Sequence, residues 1–361
     1  MKSGKLGDIH AKCLELNLPF VSWRLPEHAK CETIISAKAE KLQNPDFNEL
    51  KGFIAAPFDF MSHHHIWYLP VSYHFSEDDF DMGNLEEIHQ IPSEKEGEIF
   101  ETQFESYKNQ FTYFKNLFDQ DILQKAVLSR VKITRSVNRY FVSDLFNKLH
   151  REYPHAMVYI LNIPDKGLWV GATPETLLRK EADSFVIESV AATRTINTMG
   201  MDWTEKEITE QDIVTDYIRD ILEKNHIGIY RMEGPVDHLA GNVEHLKTDF
   251  EIPYESFLPK LSEFIRDLHP TPAVCGIPKD NAYKEILNTE NHNRDFYSGF
   301  MGPVGLKENL QLFVNLRCMR VFDNYAALYV GGGLTKDSGL EAEWEETEQK
   351  AQTLLNIVEK V

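Results

Sequence analysis

From about residue 99 to the end of the chain, β-rich runs follow one another with helix-period segments inserted between groups of them. That order constrains the fold more than any other feature. The runs cover 126–134, 156–163, 168–172, 185–191, 310–321 and 326–330. Strands in direct succession favour hairpin connections over crossover helices, so the expected fold class is α+β with large, mainly antiparallel sheets. The first 75 or so residues carry apolar segments at 53–58 and 66–71 and are expected to fold too. The acidic stretch at 76–98 reads as a connecting loop. This divides the chain into residues 1–98, an N-terminal region folding onto the rest, and a domain over 99–361 that carries the chemistry.

The chain has 361 residues, 42% of them hydrophobic, which is enough for one large core or two modest ones. Its net charge of −19 argues against capture of nucleic acid or an anionic membrane surface. An anionic small molecule stays compatible with that charge, because a few cations dominate a closed site. Cys13, Cys31, Cys275 and Cys318 are widely spaced, with no C-x-x-C pair, which fits a reducing cytoplasm better than a disulfide scaffold. No signal-peptide run and no window near the roughly 18 apolar residues of a spanning helix is present. His63, His64 and His65 are consecutive and point to alternate faces of a strand, so a solvated loop is expected there before a metal site.

Five stretches place polar groups where periodicity calls for core. On a helix at 339–350, Glu343, Glu346 and Lys350 share a face that continues to Leu354 and Val358. Carboxylates in such a stripe need a partner, and a divalent cation is one. A second acidic pair, Glu207 and Glu210, follows Thr204 with capping-box spacing and heads a stripe through Val214, Tyr217 and Ile221. Two pairs on two helices suggest a shared Mg²⁺.

Lys125 stands where a helix hands over to a strand, and a lysine in a water-poor place becomes a usable base. Its ordinary alternative is a lysine reaching out to solvent from a strand end. Glu175 follows Pro174 in Gly171-Ala-Thr-Pro-Glu175, as a buried general acid or an exposed turn residue. Arg317, read on one continuous strand with Phe313, Met319 and Val321, would hold a carboxylate from the protein or from a substrate. Gly331-Gly-Gly333 reads as a tight β-to-α turn whose N–H groups could grip an anion. The proline-stiffened His269-Pro-Thr-Pro-Ala273 shapes something or is structural.

Taken in order, these motifs resemble the chorismate-utilising enzymes, and most closely their isochorismate synthases, from about residue 99 to the C-terminus. The resemblance implies two large sheets facing each other with helices outside, enclosing a Mg²⁺-dependent chorismate site. It implies an isomerase in which Lys125 activates a water for attack at C2 of chorismate and Glu175 protonates the departing C4 hydroxyl. It further implies Glu210 and Glu346 as direct Mg²⁺ ligands, with Glu207 and Glu343 acting through water. Substrate contacts fall on Thr193, His245, Ala273, Tyr297, Arg317, Gly331 and Lys350. Two departures stand out: Ala192 replaces a family glycine, and Gln211 replaces a frequent histidine.

Anthranilate synthases usually carry glutamine where this chain has Lys125, and aminodeoxychorismate synthases carry a different segment at 189–193, so water is the expected nucleophile and no glutaminase subunit is expected. Salicylate synthases keep the lysine and go on to expel pyruvate. Segment 269–273 looks more like the synthases that stop at isochorismate, with a menaquinone pathway preferred over a siderophore one. A monomer is expected. A non-catalytic anion-binding module is a competing reading from another class. A nucleotide binder lacks both G-x-x-x-x-G-K-[ST] and G-x-G-x-x-G after a strand.

Overall fold

The computed structural model describes residues 4–77, 85, 90–91, 97–195, 202–240, 243–307 and 309–359, and most of the acidic stretch at 76–98 lies outside them. Two nine-stranded sheets face each other. In spatial order the first holds β14 (Gly276–Ile277), β7 (Lys125–Thr134), β18 (Ala326–Leu334), β17 (Cys318–Val321), β9 (Gly167–Thr173), β8 (Met157–Ile163), β1 (Phe20–Arg24), β2 (Glu32–Ile35) and β6 (Tyr73–Ser76). The second holds β12 (Arg231–Ala240), β13 (Val243–Pro253), β11 (Ser184–Thr195), β10 (Thr176–Glu181), β16 (Asn309–Val314), β15 (Phe300–Leu306), β4 (Gly52–Ala56), β5 (His65–Pro70) and β3 (Glu40–Gln43). The strand pairings, β1 with β8 and β15 with β4 among them, are antiparallel. Strands from the first 76 residues extend both sheets.

Alternation along the strands explains their unbroken apolar runs. In β9, Leu168, Val170 and Ala172 turn to an outer core, while Trp169 between them joins Tyr159, Phe313 and Tyr329 in the layer between the sheets. The outer face of the first sheet is covered by α1 (Gly4–Glu15), α4 (Val142–Glu152) and α9 (Leu340–Val358). In α4 the buried residues are Val142, Leu145, Phe146 and Leu149, the spacing of one helical face. The second sheet is covered by α5 (Glu205–Lys224), α6 (Tyr254–Phe257) and α7 (Leu261–Leu268). Helices α3 (Phe104–Asp119) and α8 (Lys279–Thr289) close over β7.

Three sequence expectations are corrected. The run at 310–321 is not one strand: β16 belongs to the second sheet and β17 to the first, and Arg317 sits between them with φ 47°. Apolar composition could not reveal this break, because both halves are buried on both faces. The glycines at 331–333 lie inside β18, opposite Ser129, Leu128 and Val127 of β7, and form no turn. His63 ends the short helix α2 (Phe60–His63), His64 takes a left-handed φ of 49°, and His65 opens β5, so the triplet is not a free loop. All four cysteines are free and buried. No helix among the described residues is long and apolar enough to cross a membrane.

The chain crosses from one sheet to the other twice at the same place. After β9 it passes through Pro174 and Glu175 into β10, and after β16 it returns through Asn315, Leu316 and Arg317 into β17. The crossings run side by side and are bonded: Val314 N–H donates to Glu175 O at 3.0 Å and Ala172 N–H to Arg317 O at 3.2 Å. The fully buried Thr173 hydroxyl donates to Val314 O and accepts from Leu316 N–H. A third segment joins them, with Ser298 N–H donating to Asn315 O and Asn315 N–H to Gly299 O, both at 2.8 Å. Thr173→Val strips the hydroxyl from this junction, while Leu316 N–H still donates to Val314 O at 2.9 Å, so stability falls by about 0.5–1.5 kcal/mol, the net worth of the lost hydrogen bonds. Chemical denaturation checks this, and an unchanged midpoint would show that the junction does not depend on Thr173.

Candidate active site

A cavity of about 390 Å³ opens between the sheets beside the crossings. Seven of the expected residues line it: Glu175, His245, Ala273, Tyr297, Arg317, Gly331 and Lys350. Glu175 and Arg317 are delivered by the two crossing segments. Tyr297 comes from the third joined segment and is buried, stacked on Tyr329 at 5.6 Å between ring centroids. Burial pushes its phenol well above the ordinary range.

Strand β17 begins at Cys318, which pairs with Tyr329, so β18 runs on past it with one open side. Lys350 Nζ donates to Gly331 O at 2.9 Å. In an antiparallel strand a residue's C=O and N–H point the same way, so the Gly331 amide also faces the open side, where an anion can reach it. Each of the three glycines leaves room for one side chain. A Cβ at Gly331 would stand 2.8 Å from the Tyr297 hydroxyl, one at Gly332 2.9 Å from Glu343 Oε2, and one at Gly333 3.2 Å from Lys125 Cε.

Lys125 and Glu175 are within electrostatic reach of each other and are shifted in opposite senses. Burial pushes the Glu175 carboxyl up to about 7, with Lys125 pulling it back and Glu188 pushing it further. Burial lowers the Lys125 ammonium below its ordinary value, against the pull of Glu210 and Glu175 and with help from Lys350. The acid is thereby drawn toward its protonated form and the base toward its neutral one.

His245 is half-buried, and burial lowers its imidazole. Its Nδ1 lies 3.1 Å from Ala192 O, and since a carbonyl only accepts, that nitrogen carries the proton. Ala192 occupies a bulge in the β11–β13 pairing with φ 55°, in the left-handed region that a glycine enters without strain. Thr193 is placed opposite His245 by the backbone register, while its side chain lies outside the described residues.

The acidic helices flank the Lys125 end of the cavity. Glu210 on α5 acts on Lys125, and Glu343 and Glu346 on α9 approach the bare Gly332, at 2.9 and 3.9 Å from where a Cβ would stand. Glu207 is turned elsewhere: it closes the capping box, accepting from Thr204 N–H at 2.8 Å and from the Thr204 hydroxyl at 2.9 Å. Among the described residues no three acidic, histidine or cysteine side chains gather into a metal cage. The donor set nevertheless fits a hard cation, since carboxylate oxygens face a space that one Cβ would fill, and Mg²⁺ usually takes only one or two protein carboxylates. The predicted buried stripe on α9 is also shifted. Thr347 is the inward residue, while Glu346 and Lys350 are about half exposed at the cavity mouth and pair at 2.7 Å.

Several supporting residues escape the sequence reading. Arg130, buried on β7, donates to Thr347 Oγ1 at 2.7 Å and Glu348 Oε1 at 2.6 Å and lies over the Trp344 ring, fixing α9 to the strand of Lys125. Arg294, paired with the buried Glu290, donates to Val127 O at 2.6 Å and Val274 O at 2.9 Å, joining the strand of Lys125 to the Ala273 wall. Glu188 lines the cavity beside Glu175. A charged residue inside an apolar strand is the available signal for Arg130 and Glu188. Gln211 also finds a reason: its buried amide donates to Ser189 O and Thr248 Oγ1 at 3.1 Å, tying α5 to β11 and β13.

The family model described as "Chorismate binding enzyme" matches residues 77–359. A vibriobactin-specific isochorismate synthase of Vibrio cholerae is 26% identical over 260 residues, 70% of this chain and 66% of that protein. Isochorismate synthase EntC of Escherichia coli is 27% identical over 250 residues, 65% of this chain and 62% of that protein. The chain thus spans about two thirds or less of the length of these curated relatives. In fold it is similar to MenF, the menaquinone-specific isochorismate synthase of Escherichia coli, with a TM-score of 0.73 over 94% of this chain and 88% of that one at 18% identity. With the family match taking in most of its residues and the paired sheets enclosing the cavity, the chain belongs to the chorismate-binding enzymes.

Proposed function

We propose that this protein converts chorismate to isochorismate with Mg²⁺ as cofactor, the step that its menaquinone-type and siderophore-type relatives share. The observation that carries the reading is the opposed pair, Glu175 raised to about 7 and Lys125 lowered: Glu175 shares one cavity with Arg317, Lys350 and the Gly331 amide, and Lys125 stands against Gly333 in its wall. A dicarboxylate needs cations and N–H donors in an otherwise acidic protein, and these three supply them. The retained acid and base favour an enzyme over an anion-binding module, and Lys125 favours water over ammonia as the nucleophile.

In this mechanism neutral Lys125 takes a proton from a water as its oxygen bonds to C2. The ring double bond shifts, the C4–O bond breaks, and Glu175 gives its proton to the departing hydroxyl. One water enters and one leaves, so the sum is an isomerisation. Arg317 and the Gly331 N–H orient the carboxylates, and Tyr297 holds its place through the Tyr329 stack. Glu210 and Glu346 would hold Mg²⁺ directly, with Glu343 acting through water, while Glu207 is taken up by the capping box. When bound, the ion neutralises substrate carboxylate charge.

Incubation of the purified protein with chorismate and Mg²⁺, followed by chromatography, is expected to yield isochorismate. Salicylate, an aminated product or unreacted chorismate would each overturn the proposal. Lys125→Ala and Glu175→Gln should each lower kcat by roughly 10²–10⁴-fold. Near-native turnover by either variant removes that residue from its role.

The raised carboxyl also has a stability consequence. A glutamate at about 7 in the fold and 4.5 when unfolded binds more protons folded than unfolded between those values, so folding loses stability as pH rises from 4.5 to 7. Glu175→Gln removes that penalty. Denaturation at pH 5 and pH 8 should therefore show the variant gaining on the wild type at pH 8, by up to roughly 3 kcal/mol. An equal difference at the two pH values would contradict the raised carboxyl.

A further inference from the structure

The wall behind Glu175 carries a buried charge cluster that the proposed chemistry does not use. Glu188 lines the cavity together with Glu175, and the two also line a narrower hollow beneath it with Thr176, Leu177 and Ile187. The antiparallel register of β10 and β11 sets Arg179 opposite Val186. Glu188 lies two residues beyond Val186 on the same strand face, within reach of Arg179. Glu188 is mostly buried and is gripped by two cations, in an ion pair with Arg179 and with Lys247 Nζ at 2.8 Å. Lys247 in turn binds Asp249 at 3.2 Å.

A buried carboxylate held by two cations stays ionised and cannot share the proton of its neighbour. Burial works against the Glu188 charge, but Arg179 and Lys247 overcome it and hold the carboxyl below the usual range. The cluster therefore fixes one negative charge on the floor of the cavity, beside the carboxyl that has to carry a proton. A like charge at short range disfavours ionisation of that neighbour. Nothing else in the site asks for a glutamate there: two cations on neighbouring strands would be cheaper to leave in solvent than to draw inward around it.

We infer that Glu188 is a positioning residue that keeps the Glu175 proton in place, its charge anchored by Arg179 and Lys247. This rests on the reading of Glu175 as the general acid. Lys125 from β7 and Glu188 from β11, with Arg179 and Lys247 behind it, act on Glu175; the other ionisable groups lining the two hollows with it are His238 and His245 from β12 and β13, Arg317 and Tyr297 from the joined crossings, Lys350 from α9 and Tyr217 from α5. Burial does most to hold the proton on Glu175, Lys125 pulls it off, and Glu188 is the anion that adds to the burial. Replacing Glu188 with glutamine removes that anion and leaves two cations uncompensated, and both changes drive the Glu175 titration downward.

Two readouts separate this role from mere structural support. The first is the ratio of kcat/KM for Glu188→Gln to that of the wild type, followed across pH. A drop of about one unit in the Glu175 titration leaves the ratio near one at pH 5.5 and lowers it by about tenfold at pH 8. A structural loss lowers the ratio equally at every pH and overturns the inference, and so does a ratio that stays near one throughout. Glu188→Asp, which keeps the charge, should hold the ratio level.

The second readout needs no turnover. The infrared carboxylic-acid C=O band present in the wild type and missing in Glu175→Gln should vanish at a midpoint about one pH unit lower in Glu188→Gln. An unmoved midpoint overturns the inference even if the variant has lost activity. If the wild type makes no isochorismate but the band still moves, the reaction assignment fails and the role of Glu188 stands.

Discussion

The site depends on the hydrogen-bonded junction where the chain changes sheets twice. Val314 N–H to Glu175 O, Ala172 N–H to Arg317 O and the Thr173 hydroxyl lock the outgoing and returning crossings to one another, and the Asn315 backbone binds the third segment to them. Glu175, Arg317 and Tyr297 are far apart in sequence, yet each lies within two or three residues of this junction. Their relative positions are set by backbone bonds inside a buried layer, which fixes them better than a loop would. The open side of β18 exists for the same reason: β17 can begin only after the return crossing, so the last residues of β18 are left facing the cavity.

Around that junction the protein keeps ionisable groups where folding alone would not put them. Glu175 is partly desolvated beside an anion, and Lys125 is desolvated beside a second cation, and both arrangements cost stability. Packing elsewhere offsets the cost, through the inter-sheet aromatics Trp169, Tyr329 and Phe296 and the outer cores under α4, α5 and α7. Three glycines in one strand weaken a sheet, but here each missing Cβ admits Tyr297, Glu343 or Lys125. Arg130 and Arg294 hold the walls from outside, so that these side chains close on a cavity instead of collapsing into it.

Much of the fold was legible from the sequence, because β7, β8, β9 and β18 bury both faces and read as unbroken apolar runs. The return crossing was not: Asn315, Leu316 and Arg317 sit between two apolar strands, and no local signal distinguishes a change of sheet from a continuous strand. Glu343 and Lys350 were found by helical period, but period is blind to where a helix leaves the core, so Thr347 took the inward place and Glu346 and Lys350 moved to the mouth. Glu207 shows one side chain answering two expectations, as the capping box that the Thr204 spacing announced now occupies the carboxylate. Glu188 showed only as a charge inside an apolar strand, since its meaning depends on Arg179 and Lys247 in neighbouring strands. Ala192 was legible as a departure, and its positive φ shows that the bulge persists without the glycine.

In the proposed reaction Glu175 at the junction and Lys125 on β7 act on one small molecule, so that water enters at C2 and hydroxyl leaves from C4. Turnover of chorismate in H₂¹⁸O tests it most directly. The expected product is isochorismate carrying one ¹⁸O, located at the C2 hydroxyl. An isochorismate of unchanged mass, its oxygen moved within the molecule from C4, would contradict it.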